Sequence, residues 1–281
     1  MANVRVVTDS ASAIPTELAE ELGISVVPIQ VQFGTQSFKE GDDLTLQAFY
    51  ELLDGPVIPT TSQPSPGDFV EAYRKLAEET DEILSLHLTS KASGTWQAAR
   101  LAAQMIDRAK VSVVDTLTAS FGAGMITIAA AEAAKAGEDL KQVMEVVRRG
   151  MASTHIFVAL PSLKYVQRCG RVPQVQAWVA TLLNISPILG VRDGLVEAVE
   201  RVRTFRGAVR RTVELAEQAS GGHVKRLAVV HTNAVEEARK LLEEIITRGL
   251  IAADKVYVCD MRGSMAVHGG PGMLGVVVSG V

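Results

Sequence analysis

The chain has 281 residues, 47% of them hydrophobic, with 28 basic against 32 acidic side chains and a formal net charge of −4. Such a length permits one large α/β unit or two lobes, and we expect two. The charge balance gives no general reason to bind nucleic acid or membrane, so any basic site has to be local. Cys169 and Cys259 are the only cysteines, and nothing resembling a signal peptide precedes the apolar run Val4 to Val7. We therefore expect a reducing, cytoplasmic setting and no structural disulfide. The most apolar helical stretch, Phe121 to Ala136, is interrupted by Glu132 and Lys135 and is too short to cross a bilayer. The sequon Asn184-Ile185-Ser186 lies in an apolar stretch that reads as buried, and it is discounted.

Short runs of Val, Ile and Leu alternate with longer amphipathic segments, the pattern of an α/β protein. Val4 to Val7 reads as a buried strand, and Ser12 is placed to cap a helix from Pro15 to Gly23. Ile24 to Pro28 is the next strand. Ser65-Pro66-Gly67-Asp68 has the form of a capping box opening a helix that carries Phe69, Tyr73 and Leu76. Ile83 to Leu88 and Val111 to Val114 read as strands followed by helices from about Thr95 and Ser120. These four strands suggest a parallel sheet.

Beyond Thr154 the texture changes to strands at His155 to Leu160, Ile188 to Val191, Leu195 to Val202, Leu227 to Val230, Lys255 to Cys259 and Leu274 to Val278. Helices are expected near Val175, Ala208 and Val235, and Asp193-Gly194 marks a hairpin, hence an antiparallel or mixed sheet. We place the lobe boundary between residues 154 and 155. No fixed-period repeat or low-complexity segment is visible.

Thr60-Thr61-Ser62-Gln63-Pro64-Ser65 is rich in hydroxyls just before a helix, where free amides favour an anion. The same composition also serves simple capping, and local sequence leaves both readings open. Thr89-Ser90-Lys91-Ala92-Ser93-Gly94-Thr95 repeats the arrangement after a strand, with Gly94 permitting close approach to a ligand. Two such turns at the carboxyl ends of strands of one sheet would face the same crevice. His268-Gly269-Gly270-Pro271-Gly272 reads as a loop that holds an imidazole in place, for carboxylate binding, acid-base work or a structural role.

Gly270-Pro271-Gly272-Met273-Leu274-Gly275 fits the dinucleotide fingerprint in spacing only, because a strand rather than a helix follows it. With no phosphate-cradling loop elsewhere, we expect no nucleotide site. The five histidines and two cysteines lack metal-ligand spacing, so no metal is assigned. Basic residues gather at Lys164, Arg168 and Arg171, then at Arg201, Arg203, Arg206, Arg210 and Arg211. They form either a solvated face or a docking patch for an acidic partner or anionic headgroups.

In order, Thr8-Asp9-Ser10-Ala11-Ser12, Thr61-Ser62-Gln63-Pro64-Ser65, Ser93-Gly94-Thr95, Leu163-Lys164-Tyr165 with Gly170-Arg171, and His268-Gly269-Gly270-Pro271-Gly272 resemble the DegV family of fatty-acid-binding proteins. The resemblance implies two lobes with a lipid tunnel between them, the first related to the dihydroxyacetone-kinase fold. It also implies a cytoplasmic acyl-binding subunit that is no enzyme itself and has no cofactor. Such a subunit holds palmitate, stearate or oleate for a separate fatty-acid kinase and touches the inner face of the membrane transiently.

By motif, the carboxylate contacts would be Thr61, Ser62, Ser93 with Gly94, and His268, and the docking residues Lys164, Arg168, Arg171 and Arg203. The chain departs from the usual family pattern at Ala13, Ala92, Cys169 and Gly269; none removes a carboxylate contact, but Ala92 and Gly269 sit beside contact residues and put acyl preference in question. The main rival is a lipid esterase or thioesterase with Ser93 or Ser62 as nucleophile and His268 as base, although neither serine sits in a Gly-x-Ser-x-Gly elbow. A second rival handles a small ketone sugar through His268, which the apolar second lobe disfavours.

Overall fold

The first apolar runs become parallel strands because each is followed by a helix that carries the chain back to the start of the sheet. The computed structural model describes residues 4–172 and 185–281. Strands β1 (Val4–Asp9) and β2 (Ile24–Val27) flank helix α1 (Thr16–Leu22). A small excursion follows, made of β3 (Gln30–Phe33), β4 (Gln36–Lys39), helix α2 (Leu46–Leu53) and β5 (Thr60–Ser62). The chain then returns through α3 (Pro66–Leu76), β6 (Glu82–His87), α4 (Thr95–Ala103) and β7 (Lys110–Asp115). The main sheet has the order β2-β1-β6-β7 and is parallel throughout, as expected.

Helices α5 (Phe121–Lys135) and α6 (Leu140–Ser153) lead into a second sheet. It contains β8 (His155–Ala159), β9 (Ser186–Arg192), β10 (Leu195–Val202), β11 (Arg226–His231), β12 (Lys255–Asp260) and β13 (Leu274–Ser279), in the order β10-β9-β8-β13-β11-β12. Only β11 and β12 pair in parallel, so this sheet is mixed. The hairpin falls at Asp193-Gly194, where both residues take positive φ, 49° and 79°. Helices α7 (Val166–Cys169), α8 (Phe205–Ser220), α9 (Val235–Thr247) and α10 (Arg262–Gly269) complete the described elements. The helix expected near Val175 and Asn184 of the sequon lie outside the described residues.

Helix α5 explains why its sequence is apolar on every side. It packs against β1 of one sheet and β13 of the other, and every residue except Glu132 and Lys135 is buried. Gly124 has no room for a Cβ because the Ser12 carbonyl lies against it. Glu132 is not idle: it pairs with buried Arg226 and, at 2.6 Å, with Lys255 Nζ, tying α5 to the second sheet. One hydrophobic cluster runs through α5 from Val4 and Leu84 to Ile156 and Val277.

Two local expectations give way to different structure. Ser12 caps no helix: Ser10–Ser12 form a 3-10 turn capped by Asp9, Ala13 turns left-handed at φ 56°, and α1 starts at Thr16 after Pro15. Thr60–Ser62 is a strand rather than a turn, since Gln30, Val31 and Gln32 pair with Ser62, Thr61 and Thr60. The Ser65 capping box is formed as read, with Ser65 Oγ accepting from the Asp68 amide at 3.2 Å and Asp68 Oδ2 accepting from the Ser65 amide at 2.8 Å.

Candidate functional site

The small sheet exists to bring β5 against α10. Val31, Phe33, Phe49, Tyr50 and Leu53 bury themselves against Ala266 and Val267, which sets Thr61 beside His268. His268 lies in the last turn of α10 rather than in the loop read from the sequence. The loop begins at Gly270, whose φ of 86° favours glycine and whose missing Cβ leaves space for the Tyr165 ring. Thr232 then fastens the loop, donating from Oγ1 to the Gly270 carbonyl at 2.7 Å and accepting from the Met273 amide at 3.0 Å.

The start of α10 is held by a carboxylate the sequence did not disclose. Glu40 is buried and receives Ser10 Oγ at 2.6 Å, the Ser264 amide at 2.6 Å and Ser264 Oγ at 3.1 Å. Burial pushes its pKa up, against the pull of those donors and of Arg262. Ser264 and His268 are one helical turn apart, so Glu40 links the first motif, through Ser10, to the imidazole. The only signal for it was the period-2 pattern of Gln30-Val31-Gln32-Phe33, which announces the hairpin that ends at Glu40.

Between the two large sheets lies a cavity of about 240 Å³. Its walls are apolar: Ile29 and Leu88 from the first half of the chain, Leu160, Val191, Met261 and Met273 from the second. Thr61, Ser62, Gln63, Ser93, Gly94, Arg171 and His268 also line it, so both hydroxyl-rich segments and the late histidine converge there. Gln63 packs its amide over Gly94, where a Cβ would come within 3.1 Å, joining the two segments. Ser93 Oγ shares a hydrogen bond with Thr95 Oγ1 at 2.8 Å and accepts from the Thr95 amide at 3.3 Å, at the start of α4. Ala92, Cys169 and Gly269, three of the positions departing from the family pattern, are in the lining as well.

The polar end is wired in one direction. Arg171 Nη1 lies 3.4 Å from His268 Nδ1, and His268 Nε2 lies 3.0 Å from Thr61 Oγ1. A guanidinium has only donors, so Nδ1 must accept and the imidazole proton sits on Nε2, facing Thr61. Thr61 then accepts from the ring and keeps its own proton to give away. Burial, with the Arg171 charge added, brings the His268 pKa down to about 3, so the ring is neutral near pH 7. The result is a set of neutral donors beside one fixed cation, which suits a carboxylate.

A second cleft of about 520 Å³ adjoins this group. It is lined by Lys164, Arg168 and Arg171 with Val57, Ile58 and Thr60, and it shares Thr61, Cys169 and His268 with the apolar cavity. Three of the four residues read as docking residues therefore sit together. Arg203 is exposed but belongs to neither lining, and Arg211 is paired with Glu200 and Glu214. Arg171 is at once a cleft residue and a partner of His268.

A Ser-His-Asp arrangement does occur, elsewhere. Asp9 Oδ2 lies 2.8 Å from His87 Nδ1, His87 Nε2 lies 2.7 Å from Ser85 Oγ, and Ser85 Oγ lies 2.7 Å from Tyr73 OH. All four residues are fully buried and none lines the described cavities, so this network braces β1, β6 and α3. No helix among the described residues is long and apolar enough to cross a membrane.

The chain resembles known proteins along nearly its whole length. The DegV family profile, described as "Uncharacterised protein, DegV family", matches residues 3–280. A DegV domain-containing protein of Streptomyces coelicolor is 35% identical over 278 residues, 99% of this chain and 98% of that protein. The structure of a fatty-acid-binding DegV family protein from Thermus thermophilus superposes with a TM-score of 0.90 at 33% identity, covering 99% of this chain and 100% of that one. DegV, a fatty acid binding protein from Bacillus subtilis, gives 0.88 at 30% identity, with 99% and 100% covered. With the profile and the curated relative spanning nearly its whole length, the chain belongs to the DegV family.

Proposed function

We propose that this chain binds a long-chain fatty acid, such as palmitate, stearate or oleate, between residues 1–154 and 155–281 as two lobes, and presents the carboxylate to a separate ATP-dependent kinase. The observation that carries this reading is an apolar cavity whose lining also brings together Thr61, Ser62, Ser93, Gly94 and His268. A carboxylate taken from water needs several donors, and these residues supply them without a competing base. The tail supplies the affinity. At about 0.8 kcal/mol per buried methylene, a long acyl chain contributes on the order of 10 kcal/mol before the cost of ordering it.

The basic cleft supports the second half of the reading. Thr61, His268 and Arg171 line both the apolar cavity and the cleft of Lys164 and Arg168, so a carboxylate held by them would be reachable from the cleft, where a kinase could bring the γ-phosphate of ATP. The chain itself would act as a cytoplasmic carrier, loading and unloading at the inner face of the membrane. Arg203, outside the cleft, would belong to the docking surface alone.

The hydrolase reading fares worse on the same geometry. A catalytic histidine needs a carboxylate on Nδ1 to stabilise the imidazolium, and His268 has a guanidinium there. Its Nε2 faces Thr61 rather than Ser62 or Ser93. Ser93→Ala and His268→Ala test the proposal. Each removes one of several donors, so affinity should fall by only about 1 to 3 kcal/mol. Acyl-phosphate formation with the partner kinase should fall further, because a misplacement of about 1 Å can cost roughly 100-fold. Unchanged binding and unchanged phosphorylation in both variants would remove these residues from the site.

A further inference from the structure

Ser120 is the residue of the cavity whose chemistry nothing above uses. It lines the cavity, is 3% exposed, and its Oγ has no hydrogen-bond partner among the described residues. Its backbone carbonyl is occupied, accepting from the amides of Ala123 and Gly124, so only the hydroxyl is idle. It stands at the N-cap of the 15-residue helix α5 yet makes no side-chain cap. Its backbone, at φ 51° and ψ −142°, is in a region that serine rarely adopts.

A buried hydroxyl left unpaired is costly unless something enters to meet it. The amides of Gly122, Ala123 and Gly124 already donate to the Ala119 and Ser120 carbonyls, so the Ser120 hydroxyl is the group left there to meet an oxygen. No described hydrogen bond joins Ser120 to Thr61, Ser62, Ser93 or His268. Ala11, Leu88 and Met265 form one apolar cluster in the same lining, and the only charged side chain among the described lining residues is Arg171, already engaged with His268. An ionised second group would be desolvated there without a counter-charge, whereas a neutral oxygen would not.

We propose that the Ser120 hydroxyl forms a second polar subsite inside the acyl cavity, one that takes a hydroxyl carried on the fatty-acid chain. This inference rests on the fatty-acid reading above and narrows it to monohydroxy acids alongside plain ones. The test compares stearate with a panel of monohydroxystearates differing in hydroxyl position, titrated into the parent chain and into Ser120→Ala and Ser120→Gly. Ser120→Ala keeps the backbone demand and Ser120→Gly relieves it, so a folding defect in one leaves the other informative.

One positional isomer should bind the parent at least as tightly as stearate, and should lose about tenfold in both variants while stearate is unchanged or improved. If no isomer depends on Ser120, or if stearate and every isomer weaken together, the subsite is refuted. If the parent binds the hydroxy acids but not stearate, the subsite stands and the plain-acid reading is wrong. If it binds neither, both fall.

Discussion

Replacing Arg171 with Gln should change the titration of a histidine it touches, without abolishing the fold. In the parent protein the His268 pKa is about 3, burial being the larger cause and the Arg171 charge the smaller. The gap to the ordinary value of about 6.5 corresponds to on the order of 5 kcal/mol in favour of the neutral ring. Removing the cation should raise the pKa, yet burial should keep it below 6.5.

The same shift sets a pH dependence. As pH falls below about 6.5 the unfolded chain protonates this histidine while the folded chain does not, so stability is lost on acidification and is fully present above that value. At about pH 5 the loss from His268 alone is on the order of 2 kcal/mol, and Arg171→Gln should reduce it. Nitrogen-15 NMR of the imidazole, assigned with His268→Ala, reads both pKa and tautomer. The parent should show an unprotonated Nδ1 and a protonated Nε2 down to acid pH, and Arg171→Lys should keep the pKa low. A parent ring that titrates near 6.5, or carries its proton on Nδ1, would refute the wiring from Arg171 through His268 to Thr61.

Glu40→Ala should strip the partner from Ser10 Oγ and from the Ser264 amide and hydroxyl, at a cost on the order of 3 kcal/mol, read as a fall in thermal midpoint. Glu40→Gln should lose less. Gly269→Thr, which restores the residue common in the family, would drive its Cβ into Met273 and reshape the cavity wall, so chain-length preference measured over a series of saturated acids should shift. Arg203→Glu should weaken coupling to the kinase and leave fatty-acid affinity intact, whereas Arg171→Glu should weaken both, because only Arg171 lines the cavity.

Strands with strong apolar runs were legible without coordinates. Val4–Val7, Ile83–Leu88 and Lys255–Cys259 lie within two residues of the observed ends, and in β1 and β6 burial on both faces leaves few alternatives. The excursion from Gln30 to Ser62 was not read as a sheet, since strands of three or four residues with polar alternate positions look like loop. For that reason Thr61 was found as a hydroxyl near a cap, but its place on a strand facing α10 was not. Ser93 and His268 stood out through their flanking glycines. Arg171 was recognised as basic, but the contact with His268 spans 97 residues and leaves no local trace. The Asp9–His87 pair and the contact of Glu40 with Ser264 were hidden for the same reason, their partners lying 78 and 224 residues apart in sequence.

The central claim is that the cavity between the two sheets holds a fatty acid, and mass spectrometry of an organic extract tests it most directly. Protein purified without added ligand should release close to one equivalent of a C14 to C18 fatty acid, and extracted protein should take such an acid up again. A clean extract from folded protein that also fails to bind added fatty acid would contradict it.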